Sequence, residues 1–363
     1  MKTAIVHYWL VNMRGGEKVL EALLELYPQA DIYTHVYDPK AVSPLINSHR
    51  VYTSRINWLP FAKKLYQKYM PLMSNALTEF DLRGYDLVIS SESGPAKGVV
   101  PDPDAYHICF CHSPMRYLWD MYHEYFKGAG AITRFFMKRL IPSLRIWDVT
   151  SANLVDRFIT NSRYVAKRIG RYYNREAEVV YVPVDTEFFS LSERRPEDFY
   201  LFFGQLVDYK RADIAIEACV QSGRKLVVAG SGKKDTRRYG KSGLVRFLGR
   251  VSDEEIRGLF SRARALLFPG IEDLGLVPIE ANAAGCPVIA FRKGGALDTV
   301  KENVTGLFFD EQNAASLIRA MDRFEASEEN FKNREAFTAQ VGQFSKEAFK
   351  ERVSRIIAER RRI

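Results

Sequence analysis

Short, continuous apolar runs alternate with longer amphipathic stretches along the chain. In the first half the runs are "TAIVHYW" (3–9), "ADIYTHV" (30–36), "YDLVISS" (85–91), "YHICFCH" (106–112), "RFITNS" (157–162) and "EVVYV" (178–182). They are continuous rather than alternating, which predicts strands of a parallel sheet covered on both faces. Between them lie helical patterns such as "EKVLEALLELY" (17–27) and "SRYVAKRIGRYY" (162–173). Near Pro183 the series restarts. The stretch 182–199 holds two prolines and a charge cluster and reads as a linker. Six more runs follow: "YLFFG" (200–204), "KLVVAG" (225–230), "VRFLG" (245–249), "ALLFPG" (265–270), "CPVIAF" (286–291) and "TGLFFD" (305–310). Alternating strand and helix predicts right-handed α/β units. Two such series predict two doubly wound, Rossmann-like domains facing a central cleft, 1–183 and 184–343. A basic amphipathic helix follows over 344–363.

Composition narrows the class. At 363 residues, the chain is long enough for two cores; 47% hydrophobic and 27% charged residues suit a soluble globular protein. No apolar run approaches the roughly 18 residues of a membrane span. The start "MKTAIVHYWL" lacks a small-residue cleavage site and reads as a first strand. Cys109, Cys111, Cys219 and Cys286 form no CxxC pair and sit in or beside apolar stretches, as reduced cytosolic thiols do.

Charge adds a surface. The net charge is +9, and residues 127–175, with 11 Lys/Arg against 2 Asp/Glu, carry an equal surplus. The stretch 55–70 is also basic and aromatic, with Trp58, Lys63 and Lys64; so is 134–147, with Lys138 and Arg139. Nucleic acid, anionic lipid or a phosphorylated substrate would each fit. No nucleic-acid-binding motif accompanies the charge, and the aromatic–cation mixture favours a peripheral site on an anionic membrane surface.

Candidate chemistry gathers at strand-to-helix turns. In "EDLGLVPIEANAAG" (272–285), Glu272 stands before Leu274-Gly275-Leu276, and Glu280 lies in the helix that follows. Pro278 suits a first helical turn, whose free N–H groups favour an anion. In "FFGQLVDYKR" (202–211), Lys210 and Arg211 sit in a strand-to-helix loop, fit to neutralise phosphate. "NMRGGEKVL" (12–20) offers Gly15-Gly16 for close backbone approach or positive φ. His112 ends a strand. Ser252 and Glu255 form a capping box after Val251, and Asp253 could accept from a guanine edge. Asp102-x-Asp104, flanked by prolines, is a poor metal pair, and no metal site is expected.

Together these residues resemble the retaining glycosyltransferases of the GT-B fold, family 4. The two glutamates with seven residues between match that family's E-x7-E motif, "GQLVDYKR" its lysine loop and "MRGG" its glycine-rich first loop. "CHSPMRYLWD" (111–120) resembles the branch that transfers mannose from GDP-mannose in surface-polysaccharide assembly. The resemblance implies catalytic roles for Glu272 at the sugar hydroxyls, Lys210 at the diphosphate and His112 beside the sugar. It implies that Glu280 grips the ribose and that Leu274, Gly275 and Leu276 lie against sugar and phosphate. Gly16 would lie by the diphosphate, Val251 would hold the base, and the 344–363 helix would cross back to the first domain. It implies no required cofactor, and a lipid-linked or oligosaccharide acceptor met at the inner face of the cell membrane.

Two positions depart from the family pattern. Gln205 stands where an arginine is usual, leaving Lys210 and Arg211 as the cations, and Asp273-Leu274 replaces Gly-Phe. Alternatives are a UDP- or dTDP-sugar donor, an NAD-dependent dehydrogenase, for which G-x-G-x-x-G is missing, and a basic nucleic-acid-binding protein.

Overall fold

The computed structural model describes residues 1–190, 193–232 and 243–360. Its N-terminal sheet has seven parallel strands: β1 (Thr3–His7), β2 (Asp31–Thr34), β3 (Val51–Thr53), β4 (Leu87–Glu92), β5 (Tyr106–Cys111), β6 (Arg157–Thr160) and β7 (Ala177–Val179). Their order is β3-β2-β1-β4-β5-β6-β7. The second sheet has β8 (Tyr200–Phe203), β9 (Leu226–Ala229), β10 (Val245–Gly249), β11 (Leu266–Phe268), β12 (Val288–Phe291) and β13 (Gly306–Phe309), in the order β10-β9-β8-β11-β12-β13. Each expected apolar run supplies a strand. The strand the pattern missed is β3, three residues long and without a fully buried position, too short to stand out as an apolar run.

The strands are continuous apolar runs because helices cover both faces. All five residues of β1 are buried. In the second unit the helix Ala314–Ala326 turns Leu317, Ala320, Met321 and Phe324 inward, the i, i+3, i+4, i+7 stripe of an amphipathic helix. They join Phe202, Leu267, Ile289 and Phe309 in one core. Each such large side chain, fully buried, contributes about 1.5–3 kcal/mol.

The chain divides into two compact units, one of Met1–Val182 with the chain from Lys350 onward, the other Pro183–Phe349. The last helix spans Lys346–Glu359, starting two residues later than the 344–363 pattern suggests; residues 361–363 lie outside the described residues. Arg157 ties that helix to the first sheet through Glu359 at 2.7 Å, and Lys350 pairs with Glu25 at 2.7 Å. Asp102 accepts the backbone N–H of Gly84 and of Asp104, each at 3.3 Å, so this aspartate organises its own loop.

Buried charge anchors the first unit. Lys97, fully buried, pairs with Asp148 and, at 3.3 Å, with Glu92 at the end of β4. Asp148 also accepts from Trp119 Nε1 at 2.8 Å and from the Tyr173 hydroxyl at 3.0 Å. Burial pushes the Glu92 carboxyl up to about 7, against the pull of Lys97 and with the push of Asp148. Removing the ammonium strands two carboxylates in a dry core. Lys97→Met is therefore expected to cost about 3–5 kcal/mol. All four tryptophans (Trp9, Trp58, Trp119, Trp147) lie in this unit, so urea unfolding followed by tryptophan fluorescence reads it selectively. An unchanged midpoint would contradict the expectation.

Candidate active site

In both sheets the strand order reverses beside the first strand, between β1 and β4 and between β8 and β11. Loops leave the carboxyl ends of such a pair in opposite directions and open a crevice, where open α/β sheets bind ligands. The candidate residues of each unit collect at these ends.

In the second unit, β8 runs into Gly204 and the loop to Lys210, while β11 runs through Gly270 to Glu272. Lys210 Nζ lies 2.9 Å from Glu272 Oε1. The contact is an ion pair without hydrogen-bond alignment, which leaves that buried oxygen an open acceptor. Two glycines permit the approach. A Cβ on Gly270 would come within 2.9 Å of the Lys210 Cα, and one on Gly204 within 3.2 Å of the lysine side chain. From the other side Gly294-Gly295 presses on Glu272–Leu274. Gly295 N–H donates to the Glu272 carbonyl at 2.9 Å, and any Cβ on Gly295 would overlap Leu274.

Gly275, at φ 84°, turns the chain into the helix Leu276–Ala283. No side chain caps this helix, so its first N–H groups stay available to an anion. Glu280 lies one turn further on. It is half-buried, and its carboxylate has no hydrogen-bond partner among the described residues. Burial, then the charge of Asp253, with Lys210 opposing and Glu272 adding, pushes its carboxyl up to about 7. Asp253 is the first residue of the helix Asp253–Arg262, whose N-cap Ser252 and Glu255 form the expected capping box; Val251 immediately precedes it.

Not every expected cation joins the group. Arg211, held at φ 53°, is turned to Asp213 at 3.2 Å and Gln312 at 3.3 Å, rather than to Glu272. Gln205 is exposed, and its carbonyl accepts the Val207 N–H at 2.9 Å. Lys210 is thus the cation paired to Glu272.

In the first unit, register sets a polar chain. His7 and Ser91 are direct partners across β1 and β4. The Ser91 Oγ lies 3.2 Å from His7 Nδ1 and 3.0 Å from His112 Nε2. Glu17 Oε1 stands 3.8 Å from His7 Nε2, while Glu17 Oε2 accepts the Arg14 N–H at 2.8 Å. Burial raises the Glu17 carboxyl, but the His7 contact and backbone N–H donors together outweigh it and the net shift is downward. Burial chiefly, and the charge of His7 next, holds His112 down at about 3. Gly15-Gly16 does not adopt positive φ. It begins the helix Gly15–Leu26, and Gly16 makes room for the Tyr8 ring, since a Cβ there would overlap the Tyr8 hydroxyl. Sequence reading missed His7, Glu17 and Ser91. Their available signal was a polar residue at the carboxyl end of each apolar run beside the glycine loop.

Two family descriptions match the chain: Glycosyltransferase Family 4 over residues 13–188 and Glycosyl transferases group 1 over 183–343. The chain belongs to the GT-B glycosyltransferases of group 1/family 4 type. It is 32% identical over 147 residues to an uncharacterized glycosyltransferase of Methanocaldococcus jannaschii, covering 37% of each chain. It is 28% identical over 219 residues to a D-inositol 3-phosphate glycosyltransferase of Streptomyces scabiei, covering 50% of this chain and 49% of that one. The chain thus spans half or less of the length of these curated relatives. Its fold is that of HepE from Anabaena in complex with UDP (TM-score 0.70, 16% identity, 99% of this chain and 100% of that one). It is equally that of the lipopolysaccharide outer core galactosyltransferase WaaB (TM-score 0.70, 15% identity, 99% and 100%).

The GT-B site leaves a titration signature. Glu280 ionises near its ordinary value when unfolded and at about 7 when folded. Between those values the folded state holds the extra proton, so stability falls as pH rises through the window. Thermal melts of wild type and Glu280→Gln from pH 4.5 to 8 are expected to diverge. Wild type should lose on the order of 1–3 kcal/mol relative to the variant, levelling above about pH 7. Parallel curves would mean that Glu280 titrates normally.

Proposed function

We propose that the protein is a retaining hexosyltransferase that moves mannose from GDP-mannose to a lipid-linked or saccharide acceptor in cell-surface glycan synthesis. The observation that carries the transferase reading is the Lys210–Glu272 ion pair beside an uncapped helix start, with the unpartnered Glu280 one turn beyond. A nucleoside diphosphate sugar has two sets of hydroxyls flanking a dianion, and this group has the complementary order. The Glu272 carboxylate accepts from sugar hydroxyls, and Glu280 accepts from the ribose. Lys210 and the N–H groups around Leu274, Gly275 and Leu276 meet the diphosphate.

Catalysis follows from where charge develops. As the bond from the anomeric carbon to the phosphate oxygen breaks, negative charge grows on the leaving diphosphate. Lys210 and the helix start stabilise it most at that moment. The acceptor hydroxyl attacks on the same face, its proton passing to the leaving phosphate oxygen, and configuration is retained. Charge neutralisation by Lys210 and backbone donors gives this reading no need of a metal or other cofactor. On the first unit His112 is given a sugar hydroxyl as partner.

GDP is favoured by Asp253, whose charge reaches Glu280 and whose two oxygens fit the paired N–H donors of guanine. Such a two-point contact discriminates by about 1–3 kcal/mol in base-edge readout. A UDP-hexose is the second reading, because HepE was solved in complex with UDP and with UDP-glucose. Calorimetric titration of GDP and UDP into wild type, Glu280→Ala and Glu272→Ala tests both. GDP should bind wild type more tightly than UDP. Glu280→Ala should weaken binding about tenfold or more, as loss of a hydrogen bond to a charged group does. Glu272→Ala should spare free-nucleotide binding and lower sugar transfer. Normal binding and transfer in both variants would remove the assignment; tighter UDP would remove GDP-mannose.

Membrane docking at the inner face supplies the lipid-linked acceptor. No helix among the described residues is long and apolar enough to cross a membrane. The helix Ala131–Ser151 is instead exposed on all sides from Ala131 to Leu140, Met137 aside. It bares Ile132, Phe135, Phe136 and Leu140 among Arg134, Lys138 and Arg139, and no acidic residue occurs between Glu124 and Asp148. Trp58 and Phe61 are bare as well, at 81% and 74% exposure. Tyr66 and Tyr69 are not part of that face, since they pack against the core of Ile56 and Met73. Lys63 is paired with Asp38 at 3.2 Å, which leaves Lys64 as the stronger candidate there. Exposed apolar surface among cations suits anionic headgroups, at about 1 kcal/mol per cation. Vesicles with anionic lipid should co-sediment the protein and release part of it in salt, and neutral vesicles should not. Phe135→Ser with Phe136→Ser and, separately, Lys138→Glu with Arg139→Glu should each reduce binding. Equal binding to both vesicle types would leave a soluble acceptor.

A further inference from the structure

We infer that Glu17, His7 and Ser91 form a positioning relay that sets which ring nitrogen of His112 carries its proton, and so whether His112 offers its ligand a donor or an acceptor. This deepens the reading above only in taking a sugar hydroxyl as the partner of His112. The relay itself rests on geometry within the first unit.

The argument counts hydrogens. Ser91 Oγ lies between two imidazole nitrogens, His7 Nδ1 at 3.2 Å and His112 Nε2 at 3.0 Å. Each contact needs one hydrogen; the hydroxyl has one to give and two lone pairs to accept with. Both histidines cannot accept from Ser91, so a histidine that takes its hydrogen leaves the other to donate. If Ser91 donates to His7, then His7 carries its proton on Nε2, facing the Glu17 carboxylate 3.8 Å away, and His112 donates from Nε2. If Ser91 donates to His112, then His7 donates from Nδ1 and His112 carries its proton on Nδ1.

Glu17 decides between them. A neutral His7 protonated on Nδ1 would aim a lone pair at a buried carboxylate, which is repulsive. The first arrangement therefore belongs to neutral His7. It leaves His112 Nδ1 as an acceptor. Without the Glu17 charge that repulsion is gone; His7 can then carry its proton on Nδ1 and donate to Ser91, which frees the hydroxyl hydrogen for His112 Nε2 and makes His112 Nδ1 a donor. That nitrogen has no hydrogen-bond partner among the described residues, and the His112 residue is partly exposed. The other groups around His7 do not compete. Tyr8 stacks on it with ring centroids 4.2 Å apart, and burial first, then the charge of Glu17, raises that phenol well above its ordinary range, so it stays neutral. His112 itself is held neutral by burial.

Register makes the relay rigid. His7 and Ser91 face each other directly in the β1–β4 ladder, and His112 follows the last residue of β5, which pairs with Glu92. His112 N–H donates to the Glu92 carbonyl at 2.7 Å, and Asn161 Nδ2 donates to its carbonyl at 3.1 Å. The backbone at His112 is thus held on both sides and the ring by Ser91, and the proton position is what remains to be set.

The test is NMR of the full chain with ¹⁵N-labelled histidine, which separates the two tautomers and the imidazolium by nitrogen shift. Signals are assigned with His7→Gln and His112→Gln. At pH 8 wild type should show His112 protonated on Nε2. In Glu17→Gln, which removes the charge facing His7, His112 should shift toward Nδ1 while staying neutral. With Ser91→Ala added the His112 tautomer should no longer respond to Glu17→Gln, and Ser91→Thr, which keeps the hydroxyl, should preserve the response. A His112 tautomer unchanged by Glu17→Gln, or one that still shifts with Ser91→Ala present, would overturn the relay. These signals need no sugar donor, so they stand apart from the transferase reading. In a transfer assay Ser91→Ala should change donor KM about two- to tenfold, as loss of one neutral hydrogen bond would, with recovery in Ser91→Thr. Tautomer coupling with an unmoved KM would uphold the relay and remove the sugar hydroxyl as the partner of His112.

Discussion

The reversal of strand order beside β1 and beside β8 is the constraint on which the rest depends. A right-handed crossover sends each helix to one face of its sheet, and two crossovers that depart in opposite directions leave the carboxyl ends of two adjacent strands uncovered. The central strands are otherwise buried along most of their length. The polar groups of the two candidate sites therefore gather at a few strand ends. His7 and Ser91 occupy them in one unit, and Lys210 and Glu272 flank them in the other.

Glycine makes these ends usable. Where Gly204, Gly270 and Gly295 stand, any side chain would enter the Lys210 loop or the turn carrying Glu272. The result is a lysine and a carboxylate brought into contact by backbone packing rather than by long flexible reach, so little rotamer freedom remains to be lost when a ligand arrives. Burial, with the charge of Asp253 beside it, raises the Glu280 carboxyl to about 7. The first unit uses a different device. Its buried ammonium, Lys97, is held between two carboxylates, and this fixes the loop that follows Glu92, next to Ser91.

Much of this was legible in the sequence, because the signals were local. Unbroken apolar runs at strand length marked every strand but the three-residue β3, and the restart near Pro183 marked the second series. The spacing of Glu272 and Glu280 around a glycine, and a lysine loop after a strand, are patterns within a few residues. They pointed to anion and hydroxyl binding, and to a family. Tertiary structure alone decided the pairings that join distant residues. Lys210 and Arg211 are adjacent and chemically alike, yet one faces Glu272 and the other Asp213, because positive φ at Arg211 turns its side chain away. Trp58 is bare and Tyr66 half-buried, eight residues apart in one basic, aromatic stretch, since burial depends on what packs from elsewhere. The His7–Ser91–His112 chain exists only through strand order and register, and a slip of one residue would send its members to opposite faces. Local pattern fixes which element a residue joins, and long-range packing fixes which partner it meets.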